Sequence, residues 1–203
     1  MRLLKYIKED FGPGVIYLEI PEFRQTYTFD CGANAMQTVV NYYGIDYREE
    51  SIMRILNTTE ENGTPIKNMI AGAKFFGIEV EERENMRIID LKNAIDKRWP
   101  IIIVLQAYGD SSEDPDWPVK NDNGHYVTVI GYDDFKIYFE DPSSTKRTFL
   151  SYKELLERWH DVGAGYGDNE NGAGGPDEKL WTRWGMICKG TPLFKTNDLE
   201  HLE

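Results

Sequence analysis

Histidine, cysteine and long apolar runs are all scarce in this sequence, and each shortage narrows what the chain can do. The 203 residues hold only Cys31 and Cys188, and only His125, His160 and His201. No Cys-x2-Cys pair exists, so the ligand spacing of a structural zinc site is missing, and no metal or organic cofactor is expected. If Cys31 works as a thiolate, no structural disulfide can form within the chain. That fits a reducing compartment, and a cytoplasmic location is expected. No apolar run approaches the length of a membrane span. Residues 1–10 lack the uninterrupted apolar core of a signal peptide. Cations are also in the minority, 23 against 35 acidic side chains, for a net charge of -12. Such a surface repels nucleic acid and anionic membrane and favours a basic peptide or small amide as partner.

What is present is enough apolar residue, 40% of the chain, for one proper core. A single domain over residues 1–203 is therefore expected, α+β in class because helices dominate the first half and strands the second. The first half is organised around Phe29-Asp30-Cys31-Gly32-Ala33-Asn34-Ala35-Met36. Met36, Val39, Val40 and Tyr43 follow at helical spacing and Gly44 stops the run. Cys31 thus stands where a helix begins, with Asp30 as its expected cap. The positive end of a helix dipole favours thiolate over thiol, and thiolate is the nucleophile. An isolated cysteine is more often a small core residue, so its partners decide the matter. Cys188 alternates with Met186 in an apolar segment and reads as core.

Around this stretch, residues 15–20 read as a strand and 47–56 as a helix begun by a capping-box-like Asp46 and Glu49. Thr64 and Pro65 open a third helix that ends at Gly77. Residues 78–82 read as a short strand, and 91–98 as a helix capped by Asp90. The continuous apolar run 101–106 is a central strand. An acidic loop covers 108–124. Residues 125–131 and 136–140 form a hairpin, Ser151 and Glu154 cap a helix, and residues 181–188 form the last strand. Residues 163–179 read as a Gly-rich loop and the tail after Pro192 as frayed. Asp168-Asn-Glu-Asn-Gly172 has the wrong glycine position and no closing Glu for a calcium loop. His160 and Asp161 read as decoration at a helix C-terminus.

His125 opens one strand of the hairpin and Asp141 follows the other. A turn centred at Asp133 stands them directly opposite, with Val127 against Phe139 and Val129 against Ile137, on an apolar face. Asp141 would then fix the imidazole tautomer and leave the other nitrogen for Cys31. As plain structure, the same residues are a strand-end His and a turn-forming Asp-Pro. Gln25, six residues before Cys31, is a candidate oxyanion donor together with the Cys31 backbone N–H.

Gln25-x5-Cys31-Gly32 with Asp30, Asn41-Tyr-Tyr-Gly44, Gly63-Thr64, Gly124-His125-Tyr126 and Asp141-Pro142 occur in an order that resembles the bacteriocin-processing, double-glycine-leader cysteine peptidases of the papain-like superfamily. The resemblance spans roughly residues 21–162. It implies a papain-like fold, a helical layer packed on an antiparallel sheet. It also implies Cys31 as nucleophile, His125 as general base and acid, Asp141 as orienting carboxylate and Gln25 as oxyanion donor. The expected activity is thiol-dependent cleavage of a peptide or other amide bond. An acyl transferase on the same thiol, or a non-catalytic peptide-binding module of the same fold, are the alternatives. Leader-processing members are commonly fused to a transporter, and leader cleavage is not carried over with the fold.

Overall fold

The computed structural model describes residues 14–109, 116–164 and 178–195. Residues 1–10, the 168–172 stretch and His201 lie outside them. In chain order the elements are β1 (Ile16–Tyr17), α1 (Cys31–Tyr42), α2 (Glu49–Ile55), α3 (Ile66–Phe75), β2 (Glu79–Arg83), α4 (Ile88–Asp96), β3 (Ile101–Gln106), β4 (Gly124–Tyr132), β5 (Lys136–Glu140), β6 (Thr148–Ser151), α5 (Tyr152–Arg158), β7 (His160–Ala164), β8 (Glu178–Thr182) and β9 (Gly185–Lys189), with a short 3-10 turn at Trp117–Val119. Among the described residues, seven strands form one antiparallel sheet in the order β2-β9-β3-β4-β5-β6, with β1 added on β4. β7 and β8 form a separate two-stranded ribbon.

The centre of the sheet is set by β3. All six of its residues are buried, which suits a strand covered on both faces. Ile101, Ile102 and Ile103 are fully enclosed, and burying each stabilises the fold by about 1.5–3 kcal/mol relative to exposure. α1 packs against β4 and is buried on nearly every side; only Cys31 and Asn41 are partly open. Small residues at its start allow this approach. A Cβ on Gly32 would fall 2.7 Å from Thr64 Cβ, so only glycine fits. Gly44 ends the segment at a φ of 79°. The backbone N–H groups of Leu193 and Phe194 both donate to Tyr42 O, at 3.1 Å each, so residues 192–195 are tied down and not frayed.

Several expected details are corrected. The hairpin pairs Val129 with Phe139 and Thr128 with Glu140, and a bulge between Val129 and Gly131 moves Tyr132 opposite Ile137. His125 therefore lies opposite Leu105 of β3 and diagonal to Asp141. Two of the expected helix caps are employed elsewhere, and a third caps its helix from inside the first turn. Arg48 precedes α2, while Glu49 turns inward to accept from Asn34 Nδ2 at 2.9 Å. Thr64 does not cap α3; its hydroxyl pairs with that of Thr58 at 2.7 Å. α4 starts three residues before Leu91, and Asp90 accepts from Arg87 N within the first turn. Ser151 and Glu154 do form the capping box of α5. The expected last strand is two strands, because residues 183 and 184 turn the chain from β8 into β9. β6 and β7 are strands that the sequence reading does not anticipate: Ser151, expected only as a cap, also closes β6, and residues 160–164, expected as a helix end and loop, form β7.

Candidate active site

Cys31 occupies the first turn of α1, at the edge of the sheet where β4 begins. His125, one residue into β4, is buried, and its Nε2–H donates to Asp141 Oδ1 at 2.8 Å. That leaves Nδ1 free of the carboxylate, and Cys31 lies near enough to act on the charge of the ring. Burial works against charge on His125, but Asp141 and Cys31 outweigh it and raise the pKa to about 9. An imidazole held this way can take a thiol proton and later return it to a leaving group.

Asp141 is saturated with donors. Oδ1 accepts from His125 and from Ser143 N at 3.0 Å; Oδ2 accepts from the Tyr108 hydroxyl at 2.7 Å and the Thr148 hydroxyl at 3.1 Å. Burial pushes its pKa up, yet His125, Tyr108 and Ser143 together hold it below the usual aspartate value. Tyr108 does more than donate. Its ring meets the imidazole edge-on at 5.4 Å between centroids, and its backbone sits at a φ of 57°, rarely adopted by a non-glycine residue. Burial and the Asp141 carboxylate both raise the Tyr108 pKa, so the phenol keeps its proton and remains a donor. Neither Tyr108 nor Thr148 carries a sequence signal, because both reach Asp141 through tertiary packing.

Gln25 is placed less simply. Its backbone N–H donates to Pro142 O at 3.0 Å, and its Oε1 accepts from Ser143 Oγ at 2.8 Å. One Nε2–H goes to Tyr27 O at 2.6 Å. Its side chain borders a second depression, which shares Thr28, Phe29 and Glu60 with the cavity that Cys31 lines, and Gln25 itself does not line that cavity. Thus Cys31, His125 and Asp141 converge, while the Gln25 amide is turned into its own loop.

That loop is shaped by Asp30, in a role other than the expected one. Asp30 is fully buried and makes no side-chain cap on α1; its carboxylate accepts from Thr26 N and Tyr27 N. A short acidic side chain can satisfy local turn N–H groups as readily as helix ones, and here the preceding turn competes successfully. Beside the loop, Arg24 and Arg147 both pair with the buried Glu140. Arg147 also donates to Ile20 O at 2.9 Å. The neighbours of Gln25 and Asp141 in sequence are therefore joined to each other.

A cavity of about 700 Å³ opens beside Cys31, with Thr64, Tyr126, Asp161 and Trp181 in its wall. Asp161 and His160 do not decorate a helix end. They begin β7; His160 Nε2–H donates to Lys120 O at 2.8 Å, and Asp161 faces the cavity. Cys188, by contrast, is fully buried in β9, and burial pushes its thiol up to about 12. Among the described residues, no group of three or more His, Cys, Asp and Glu side chains is placed to hold a metal ion. No described helix is long and apolar enough to cross a membrane.

A family model of C39 peptidases matches residues 19–164. The chain belongs to the peptidase C39 family. Among curated proteins, it is 22% identical over 134 residues to the pediocin PA-1 transport/processing ATP-binding protein PedD of Pediococcus acidilactici. That match covers 66% of this chain but only 16% of the relative. Among solved structures, this C39 chain is similar to a double glycine motif protease from an AMS/PCAT transporter in complex with its leader peptide. The TM-score is 0.57 at 17% identity, over 86% of this chain and 94% of that one. It is also similar to the peptidase domain of Streptococcus ComA, a bifunctional ABC transporter of a quorum-sensing pathway, with a TM-score of 0.58 at 19% identity over 83% and 97% of the two chains. A C39-like peptidase chain from Bacillus anthracis gives 0.61 at 14% identity over 89% and 100%. At these identities the structural likenesses speak for the fold: a C39 peptidase domain of helices and antiparallel sheet. The family is one of cysteine peptidases.

Proposed function

We propose that this C39 chain cleaves a peptide or other amide bond by thiol chemistry, working as a single domain. Cys31 is the nucleophile, His125 the base and acid, and Asp141 the carboxylate that orients it. The observation that carries this reading is the buried His125, held by Asp141 at 2.8 Å on one nitrogen, with Cys31 near the ring. The thiolate attacks the carbonyl carbon, and His125 holds the thiol proton. The oxyanion meets the Cys31 backbone N–H at the start of α1 and the Gln25 amide, which reaches it by leaving Tyr27 O. Collapse of this intermediate passes the proton from His125 to the departing amine and leaves an acyl thioester on Cys31. Water, deprotonated by His125, then releases the acid. The substrate is a peptide, in keeping with the leader peptide bound to one structural neighbour. A reducing, cytoplasmic setting keeps Cys31 a thiol.

The test is a peptide-library digest read by mass spectrometry, with Cys31→Ala as control. Defined new termini that are absent from the control are expected. Identical product patterns from the two proteins would overturn the reading. Product analysis with added amine or thiol separates hydrolysis from acyl transfer.

A further inference from the structure

A side chain on Gly124, the residue before His125, would displace Asp161. A Cβ there would lie 2.6 Å from Oδ1 and 2.7 Å from Oδ2 of Asp161. The glycine therefore makes room for a carboxylate in the wall of the cavity that Cys31 also lines. That carboxylate is held in place. The fully buried Gln106 donates from Nε2 to Asp161 Oδ1 at 2.9 Å and to His160 O at 3.1 Å, and its Oε1 accepts from Asn123 N. The backbone N–H of Val162 is a further donor. No lysine, arginine or histidine pairs with Asp161 among the described residues. Two neutral N–H donors would be satisfied equally well by an asparagine oxygen, so packing alone gives no reason for a charge here.

We propose that Asp161 is a specificity-determining residue that pairs with a cationic group of the substrate, an ammonium or guanidinium, as the substrate lies in the Cys31 cleft. This rests on the peptidase reading above and adds a substrate class to it. The remaining charged residues of the cavity point the same way. Glu60, Glu61 and Asp122 line it, and no described lysine or arginine does. Burial lifts the Asp161 pKa to about 6, which leaves the group ionised at neutral pH and without a counterion. An arriving cation removes the cost of that isolated charge and adds a charge-assisted hydrogen bond.

The probes are tripeptidyl chloromethyl ketones that alkylate Cys31. They carry lysine or norleucine at the first, second or third position from the reactive group, and each is made with a free and an acetylated N-terminus. Rates are divided by those with glutathione. Lysine at one position should label wild-type Cys31 at least tenfold faster than norleucine, and Asp161→Asn should bring that ratio near one. If the free N-terminus, and not lysine, carries the preference, the cation is the substrate's α-amine. Absence of any cationic preference in the wild type overturns the proposal while leaving the peptidase reading intact. So does a preference that survives Asp161→Asn or disappears in Asp122→Asn or Glu60→Gln. The wild-type comparison stands even if a variant fails to fold. Cys31 reacting no faster than glutathione with every probe removes the peptidase reading, and this inference with it.

Discussion

The two cysteines put the same thiol in opposite surroundings. Cys188 sits in β9, wholly enclosed, with Met186 O as a distant acceptor at 3.6 Å. Cys31 sits at a helix start, beside a cavity and an imidazole that is itself clamped by a carboxylate. The apolar environment holds a proton on sulfur; the polar one supplies a place for that proton to go. Reactivity here belongs to the surroundings and not to the residue type.

The sharpest way to break this comparison is to delete each thiol in turn. Cys31→Ala should reduce peptide cleavage by on the order of a thousandfold or more with little fall in Tm, since the group is small and only partly buried. Retained cleavage, measured as initial rate on the peptide found by the library digest, would remove the assigned nucleophile. Alkylation gives the next largest contrast. Near neutral pH, iodoacetamide should modify Cys31 faster than Cys188 by more than roughly a hundredfold, followed by peptide mapping. Comparable rates would mean that the two environments do not differ as described.

Asp141→Asn probes the clamp. Asparagine keeps the turn and can still accept from Ser143, but it brings an N–H2 group into a ring of donors. Cleavage should fall by about a hundredfold, and Tm should fall as well, because the charged His125 ring loses its buried partner. A fully active Asp141→Asn would move the orienting role elsewhere.

The pH dependence follows from His125. Its pKa is raised to about 9, so the imidazolium is present below that value and lost above it. Cleavage should decline on an alkaline limb near pH 9. The same shift links charge to folding: stabilisation from the charged ring is complete below about 6.5, the unfolded value, and disappears as pH rises through about 9. The drop in Tm between pH 7 and 10 should therefore be smaller in His125→Ala. An equal drop would show that the ring does not carry its charge in the folded protein. The smallest effect belongs to the buried thiol. Cys188→Ala should cost roughly 1–2 kcal/mol of stability in a urea titration through the cavity it leaves, with cleavage unaffected.

Local signals in the sequence translated well where local physics decides. The Cys31 helix start, the fully buried β3 and the Ser151 capping box depend on neighbours within one or two turns, and all three are present in the structure. The hairpin register did not follow, because Tyr132 pairs with Ile137, which centres the turn past Asp133, and the bulge at residue 130 makes up only part of that displacement. Even so, His125 and Asp141 meet, since diagonal neighbours remain within side-chain reach. Asp30 was misread because turn and helix N–H groups compete for one carboxylate, and sequence spacing cannot rank them. Asp161 reads from sequence as decoration at a helix end because its surroundings are set by tertiary packing. β7 brings it to Gly124 from 37 positions away along the chain, and no periodicity records such a meeting.

The clasp of Arg24 and Arg147 around Glu140 bears on how a mutational survey of this protein would read. Arg24 adjoins Gln25, and Glu140 adjoins Asp141, so one ion-pair knot ties the loop that carries Gln25 to the end of β5. Breaking it shifts both at once without altering any group that meets the substrate. A survey scored by turnover alone would rank Arg24 and Glu140 beside Cys31 and His125, and only their normal alkylation chemistry would separate the frame from the tool it holds.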